Sequence, residues 1–483
     1  MTDTPAGLPG PQPPAGQRFQ ATRLALLAGS TSTLASAGVL GCVLALANKW
    51  ACRAGAWNGY LTQFQAHCYT DIYPLYFNEG LSAGKVPYAD HPVEYPVLIG
   101  GAMQLAAWLV RPISNPFVRG REFFDVTIVL LSIFFVLGVL ATAYLAGRSR
   151  RWTALGVALA PAVILGAFIN WDLIAMGLTM LGIAAWAARR NALAGVLIGL
   201  AVATKFYPVL FLGPLLLLCW RAGRLRSFWV TAGSAAVAWL VVNVPVMIIN
   251  FSGWARFYQL SETRSADWGS IWYFFESEHW PALGTTSVHI LNAISSLVFL
   301  AACVGIALLI MAAPRRPRLA QVFFLVLAVF LLSNKVWSPQ YVVWLAPLVV
   351  LARPRWGAYL LWQFAEVGYF FAIWAYLITV SVTGPEAVDG ISSGLYFAAL
   401  LARFLTVLLL CALVVRDILH PAGDVVRVDG VDDPAGGVLA GAADQVVLRL
   451  RALPQVTSEP ADVSGGVGGL ADGRPASGAD HVD

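Results

Sequence analysis

From Leu24 almost to Arg416 the chain is a succession of apolar runs broken by short polar turns. A bilayer core of about 30 Å asks for roughly 20 apolar residues per helical crossing. The runs lack the alternation of half-buried strands, so helices are the structure that would satisfy their backbone in hydrocarbon. Crossings are predicted near 24–46, 123–147, 153–169, 173–188, 191–204, 207–220, 228–250, 288–312, 319–333, 340–352, 357–380 and 394–415. The run Leu24 to Leu46 is too long for a signal-peptide core and no small-residue cleavage site follows it, so it is expected to be retained. The expected fold is an all-α integral membrane protein of about twelve transmembrane helices with a long outer loop, 48–122, after the first. Residues 1–23, rich in Gly and Pro, and 417–483, rich in Gly, Pro, Ala and Asp, are expected to be disordered and cytoplasmic, flanking a membrane domain at 24–416.

Composition agrees: 58% of residues are hydrophobic and 12% charged, where soluble domains carry roughly 25% charge. The net charge is +5, but the segment after His420 holds ten acids against four arginines, which leaves +11 for the rest. That excess lies in clusters at helix ends: Arg148, Arg150 and Arg151; Arg189 and Arg190; Arg221, Arg224 and Arg226; Arg315, Arg316 and Arg318; Arg353 and Arg355; and Arg416. The positive-inside rule puts all six clusters in the cytoplasm, a reading of orientation rather than of nucleic-acid binding. Counting Tyr95 to Val110 as a crossing would flip every later cluster, so it is expected to be re-entrant or interfacial.

On this map the unusual polar residues gather at the outer face. Asp71 lies in a loop rich in Tyr, Pro and acids that also carries Asp90 and Glu94; a carboxylate at the mouth of a helix bundle can have its pKa raised into the range of a general base. The bland alternative for each is a solvated loop acid. Asp172, in Asn170-Trp171-Asp172, joins two apolar helices, where an acid costs roughly 2.5–3.5 kcal/mol to insert and so implies a function or a buried partner. The four lysines, Lys49, Lys85, Lys205 and Lys335, all map outside, and Lys205 and Lys335 sit in short turns with aromatics and proline. An ammonium there suits a phosphate at the membrane surface, the alternative being a lysine that snorkels to headgroups. Glu366 and Arg403 fall inside crossings and are expected to pair with each other or with backbone, in a structural role. Cys52 and Cys68 share the outer loop, where a disulfide is open to them. The ring-rich stretch Trp254 to Trp280, with Trp268, Trp272 and Trp280, reads first as an interfacial belt, the alternative being rings that stack on sugars. No metal-ligand spacing and no cofactor motif is present.

Four stretches together resemble a known superfamily: Tyr69-Thr70-Asp71-Ile72-Tyr73; Gly84-x-x-Pro87-Tyr88 through Glu94-Tyr95-Pro96; Lys205-Phe206-Tyr207-Pro208; and Asn334-Lys335-Val336-x-Ser338-x-Gln340-Tyr341-x-x-Trp344. They are similar to the GT-C glycosyltransferases that use polyprenyl-phosphate sugars, nearest to the bacterial mannosyltransferases of glycosyltransferase family 87, with echoes of the mannosyltransferase that extends the GPI anchor. The likeness spans roughly 24–415. Two positions depart from it: Tyr73 stands where the GPI enzyme has a second aspartate, and Gln340-Tyr341 where several family 87 members have a histidine pair.

The resemblance implies a GT-C-type helix bundle in a bacterial plasma membrane. It would transfer a hexosyl residue, mannose the expected sugar, from a polyprenyl phosphate to an envelope glycolipid or glycan, without a metal ion. Asp71 would be the base. Lys205 and Lys335 would face the phosphate, and Glu94, Asp172, Tyr207, Asn334 and Gln340 would bind donor or acceptor. A polytopic transporter or lipid flippase is the rival class, since it too needs many helices with polar residues between them. The absence of paired repeats and the crowding of polar residues at one face speak against it.

Overall fold

The computed structural model describes residues 23–448 apart from 56, 60, 282, 382–389 and 429, so most of the N-terminal segment 1–23 and the tail beyond 448 lie outside the described residues. Among the described residues the protein is all-helical, with no strand. Six helices are long and apolar enough to cross a membrane: Thr31–Ala54, Pro116–Leu145, Leu225–Ile249, Val288–Ala312, Trp356–Ser381 and Ser393–Leu419. Much of their surface faces outward, as lipid-facing helices require.

Shorter apolar helices fill the bundle, among them Asp172–Ala187, Asn191–Val202, Leu319–Ser333 and Val342–Ala352. Every residue of Val342–Ala352 is buried. At 1.5 Å per residue these helices are about 16–24 Å long, against about 36 Å or more for the long ones. All begin or end beside an arginine cluster, as do five of the six long helices; the sixth, Thr31–Ala54, begins where Arg151 donates to the Thr31 hydroxyl at 2.9 Å. Their other ends therefore stop short on the order of 10–20 Å inside the bundle, and those ends carry Asp172, Lys205, Asn334 and Tyr341. A recess follows from the difference in helix length.

Two of the predicted crossings take another form. The 153–169 run is broken into a 3-10 turn, Arg148–Ala154, and two short helices, Leu155–Ala158 and Pro161–Gly166; Pro161 disfavours helical backbone at the residue before it. The first helix begins at Thr31, where Ser30 accepts a hydrogen bond from the Thr33 amide, and runs on to Ala54. Val97–Val110 starts against the end of another helix, with the Leu98 amide bonded to Ala203 O at 2.9 Å. It then leads within six residues to Pro116, where a long helix sets out toward its arginine end.

The structure corrects the expectation for the tail. From 417 to 428 and from 430 to 448 the chain follows a defined course across the arginine end rather than lacking structure. Asp417 pairs with Arg353 at 3.0 Å, Asp424 with Arg318 at 2.7 Å, and Asp432 with Arg315 at 2.8 Å. Asp444 joins Arg221 at 2.7 Å and Arg316 at 2.5 Å. The Trp186 indole donates to Gly436 O at 3.0 Å. The arginine beside Asp424 holds its carboxyl below the usual range, against the effect of burial. A composition rich in Gly, Pro, Ala and Asp forecasts no core, but this segment is held by ion pairs whose partners lie up to 223 residues away.

Candidate active site

The loop that follows Thr31–Ala54 is pinned where it leaves that helix. Cys52 and Cys68 form a disulfide. Lys49, expected only as an outer lysine, is wholly buried, and its ammonium donates to Tyr69 O at 2.9 Å. The Asn48 amide donates to His67 O at 3.2 Å. The next residues are laid against the turn before Asp172: the Thr70 hydroxyl donates to Phe168 O at 2.8 Å, and the Asp71 amide to Ile169 O at 2.7 Å.

Asp71 stands just before the helix Ile72–Asn78, but its carboxylate does not cap that helix. One carboxylate oxygen accepts from the Tyr69 hydroxyl at 2.6 Å, and the side chain lines a cavity of about 760 Å³. Burial pushes the Asp71 carboxyl above the usual range; the Tyr69 hydroxyl, the Lys205 charge, Asn170 and Arg264 act against it. The walls are aromatic: Tyr73 stacks on Trp57 with centroids 4.3 Å apart, and Tyr69 on Trp374 at 4.5 Å. Rings flanking a carboxylate offer apolar faces for a sugar and a polar group for its hydroxyls.

Of the other residues singled out from the sequence, Gln340 lines the same cavity. Asp172, Lys205 and Tyr207 lie together in a buried layer: Lys205 Nζ is 3.3 Å from Asp172 Oδ1, which also accepts from the Trp344 indole at 2.9 Å. Tyr207 and Tyr341 stack on Trp344, at 4.3 and 3.8 Å. Asp172 thus has the buried partner that its position called for, and the pair orients the layer rather than lining the cavity. Lys335 Nζ donates to Asn292 Oδ1 at 2.5 Å and to Glu262 O at 3.1 Å. Asn334 uses its amide oxygen to accept from the Val336 amide at 3.3 Å. Glu94 is exposed and outside the cavity, near the buried Glu79, whose carboxyl burial pushes up to about 7 and which faces His91 at 3.4 Å.

Sequence reasoning missed Arg264 and Asp267, which line the cavity beside Trp268 from the stretch read first as an interfacial belt. Their charges amid the rings were the available signal. The Asp267 amide donates to Lys335 O at 2.8 Å. A Cβ on Gly269 would lie 2.1 Å from Trp337 O, so only glycine allows the two loops this close. From behind, Arg403 donates to Trp337 O at 2.8 Å and Ser338 O at 3.1 Å and pairs with Glu366 at 2.8 Å, as expected for those two residues. Among the described residues no three His, Cys, Asp or Glu side chains gather as a metal site.

A carboxylate beside an aromatic-walled recess in a membrane bundle is arranged to take a proton from a hydroxyl held there. No curated protein sequence matches the chain. Residues 105–339 are similar to the family model described as glycosyltransferase family 87.

Proposed function

We propose that the protein transfers a hexosyl residue, with mannose the first sugar to test, from a polyprenyl-phosphate donor to an envelope glycolipid or glycan at the outer face of a bacterial plasma membrane. The observation that carries this reading is Asp71, partly buried and held by Tyr69, on the wall of the large aromatic cavity. An acceptor hydroxyl gives its proton to Asp71 as its oxygen attacks the anomeric carbon; the bond from that carbon to the phosphate oxygen breaks, with inversion. A lipid phosphate leaves as a stable anion, so the step asks for a base and for positive charge near the leaving oxygen, not for a general acid. Gln340 is positioned to bind a sugar hydroxyl. The Asp172–Lys205 pair, beneath Asp71, lends its lysine's charge to the Asp71 carboxylate. An apolar cleft of about 750 Å³ between Trp356–Ser381 and Ser393–Leu419 lies on the other side of the helix that carries Tyr369 and Trp374, and offers a lipid chain a place to lie.

The test is transfer of radiolabelled mannose from polyprenyl-phosphate-mannose to a total lipid extract of the source cells, by purified wild type and Asp71→Asn. Loss of a general base costs about 10²–10⁴-fold in rate, so a folded Asp71→Asn should retain under about 1% of wild-type turnover. Equal turnover in the two would remove Asp71 from the mechanism. No transfer from any lipid-linked sugar would remove the donor class.

A further inference from the structure

The sequence offers Lys205 and Lys335 as the cations for a donor phosphate, but in the folded protein both are already engaged and neither lines the cavity. Arg264 does line it, and it is the one lysine, arginine or histidine among the described residues that do. It follows the last residue of the helix Phe251–Thr263, is exposed, and its guanidinium has no hydrogen-bond or ion-pair partner among the described residues. Asp71 and Asp267 line the same cavity, yet neither carboxylate comes within 4 Å of it.

We propose that Arg264 is the phosphate-binding residue of the donor site, its guanidinium gripping two non-bridging oxygens of the lipid phosphodiester. This rests on the lipid-phosphate donor proposed above. A planar guanidinium matches the spacing of phosphate oxygens and gives two parallel charge-assisted hydrogen bonds, which an ammonium does not. The geometry also separates the charges by role. The acceptor proton goes to Asp71 on one side of the cavity. The electron pair of the breaking bond goes to the phosphate, whose charge rises by one as it leaves, and the fixed cation on the same cavity stabilises that added charge. The contact strengthens toward the transition state, so its loss lowers kcat as well as raising the KM for donor. The lysines keep other work: Lys205 holds Asp172, and Lys335 ties its turn to Asn292 and Glu262.

The experiment uses the full chain in lipid nanodiscs, with tritiated decaprenyl phosphate as the probe and decaprenol, which has the tail but no phosphate, as the control. Arg264→Gln and Arg264→Lys are compared with wild type for binding and for mannose transfer, after each shows the wild-type elution profile and melting temperature. Arg264→Gln is expected to weaken decaprenyl phosphate at least tenfold, leave decaprenol binding unchanged and cut transfer further than binding; Arg264→Lys should recover only part. Decaprenyl phosphate affinity within twofold of wild type in Arg264→Gln, while wild type still transfers mannose and Asp71→Asn does not, would overturn the assignment and leave the donor reading standing. Wild type that neither binds decaprenyl phosphate nor transfers from a lipid-linked sugar would overturn both.

Discussion

Replacing Arg403 by Met separates what holds the site from what performs the chemistry. Arg403 is wholly buried on Ser393–Leu419 and meets three groups at once: Glu366, also buried, at 2.8 Å, and the carbonyls of Trp337 and Ser338. Its guanidinium further lies over the Trp337 and Tyr369 rings, at 4.1 and 4.4 Å. Removing one partner of a buried pair costs about 3–5 kcal/mol, mostly because the other charge is left uncompensated. Replacing both Arg403 and Glu366 by Met removes that charge and leaves only the two carbonyls without a donor, about 1–3 kcal/mol each if they find no water. Both variants strip those carbonyls of their donor, so the single variant, which also strands Glu366, should be the less stable of the two. Unfolding free energies measured by steric trapping in bicelles would read this directly, beside mannose transfer, which should fall in both because the loop leading to Gln340 loses its anchor. An Arg403→Met protein within about 1 kcal/mol of wild type would refute the account of Arg403 as the anchor of that loop.

Two further predictions follow from the outer loop. Asp71 must be ionised to act as a base, and burial raises its pKa, so activity should fall on the acid side with a midpoint above the usual carboxylate value of 3.8; a pH profile of kcat/KM with its midpoint at or below that value would contradict this. Replacing Cys52 and Cys68 together by Ser opens a bridge across a separation of 16 residues, worth about 3 kcal/mol by the chain-entropy account. The melting temperature should drop and donor affinity weaken as the Tyr69–Asp71 segment loosens; an unchanged melting curve would refute a structural role for the bridge.

Much of this protein is determined locally. The length and apolarity of each run dictated helices in a membrane, and the arginine clusters dictated which helix ends would share a face, because each depends on residues adjacent in the chain. Asp71 was legible as a candidate for the same reason: an acid in a Tyr- and Pro-rich loop beside a bundle is conspicuous in sequence, and the structure sets it on the cavity wall. Tertiary structure decided the rest. Whether a lysine is free for a ligand depends on what lies across from it, and Asp172 and Asn292 are 33 and 43 residues from the lysines that they engage. Arg264 was hidden among rings until the loops met over Gly269. The tail was misjudged because its stabilising partners, arginines on several helix ends, come together only once the bundle has formed. Local pattern sets what each segment is; charge pairing between distant segments sets which of its groups remain available for chemistry.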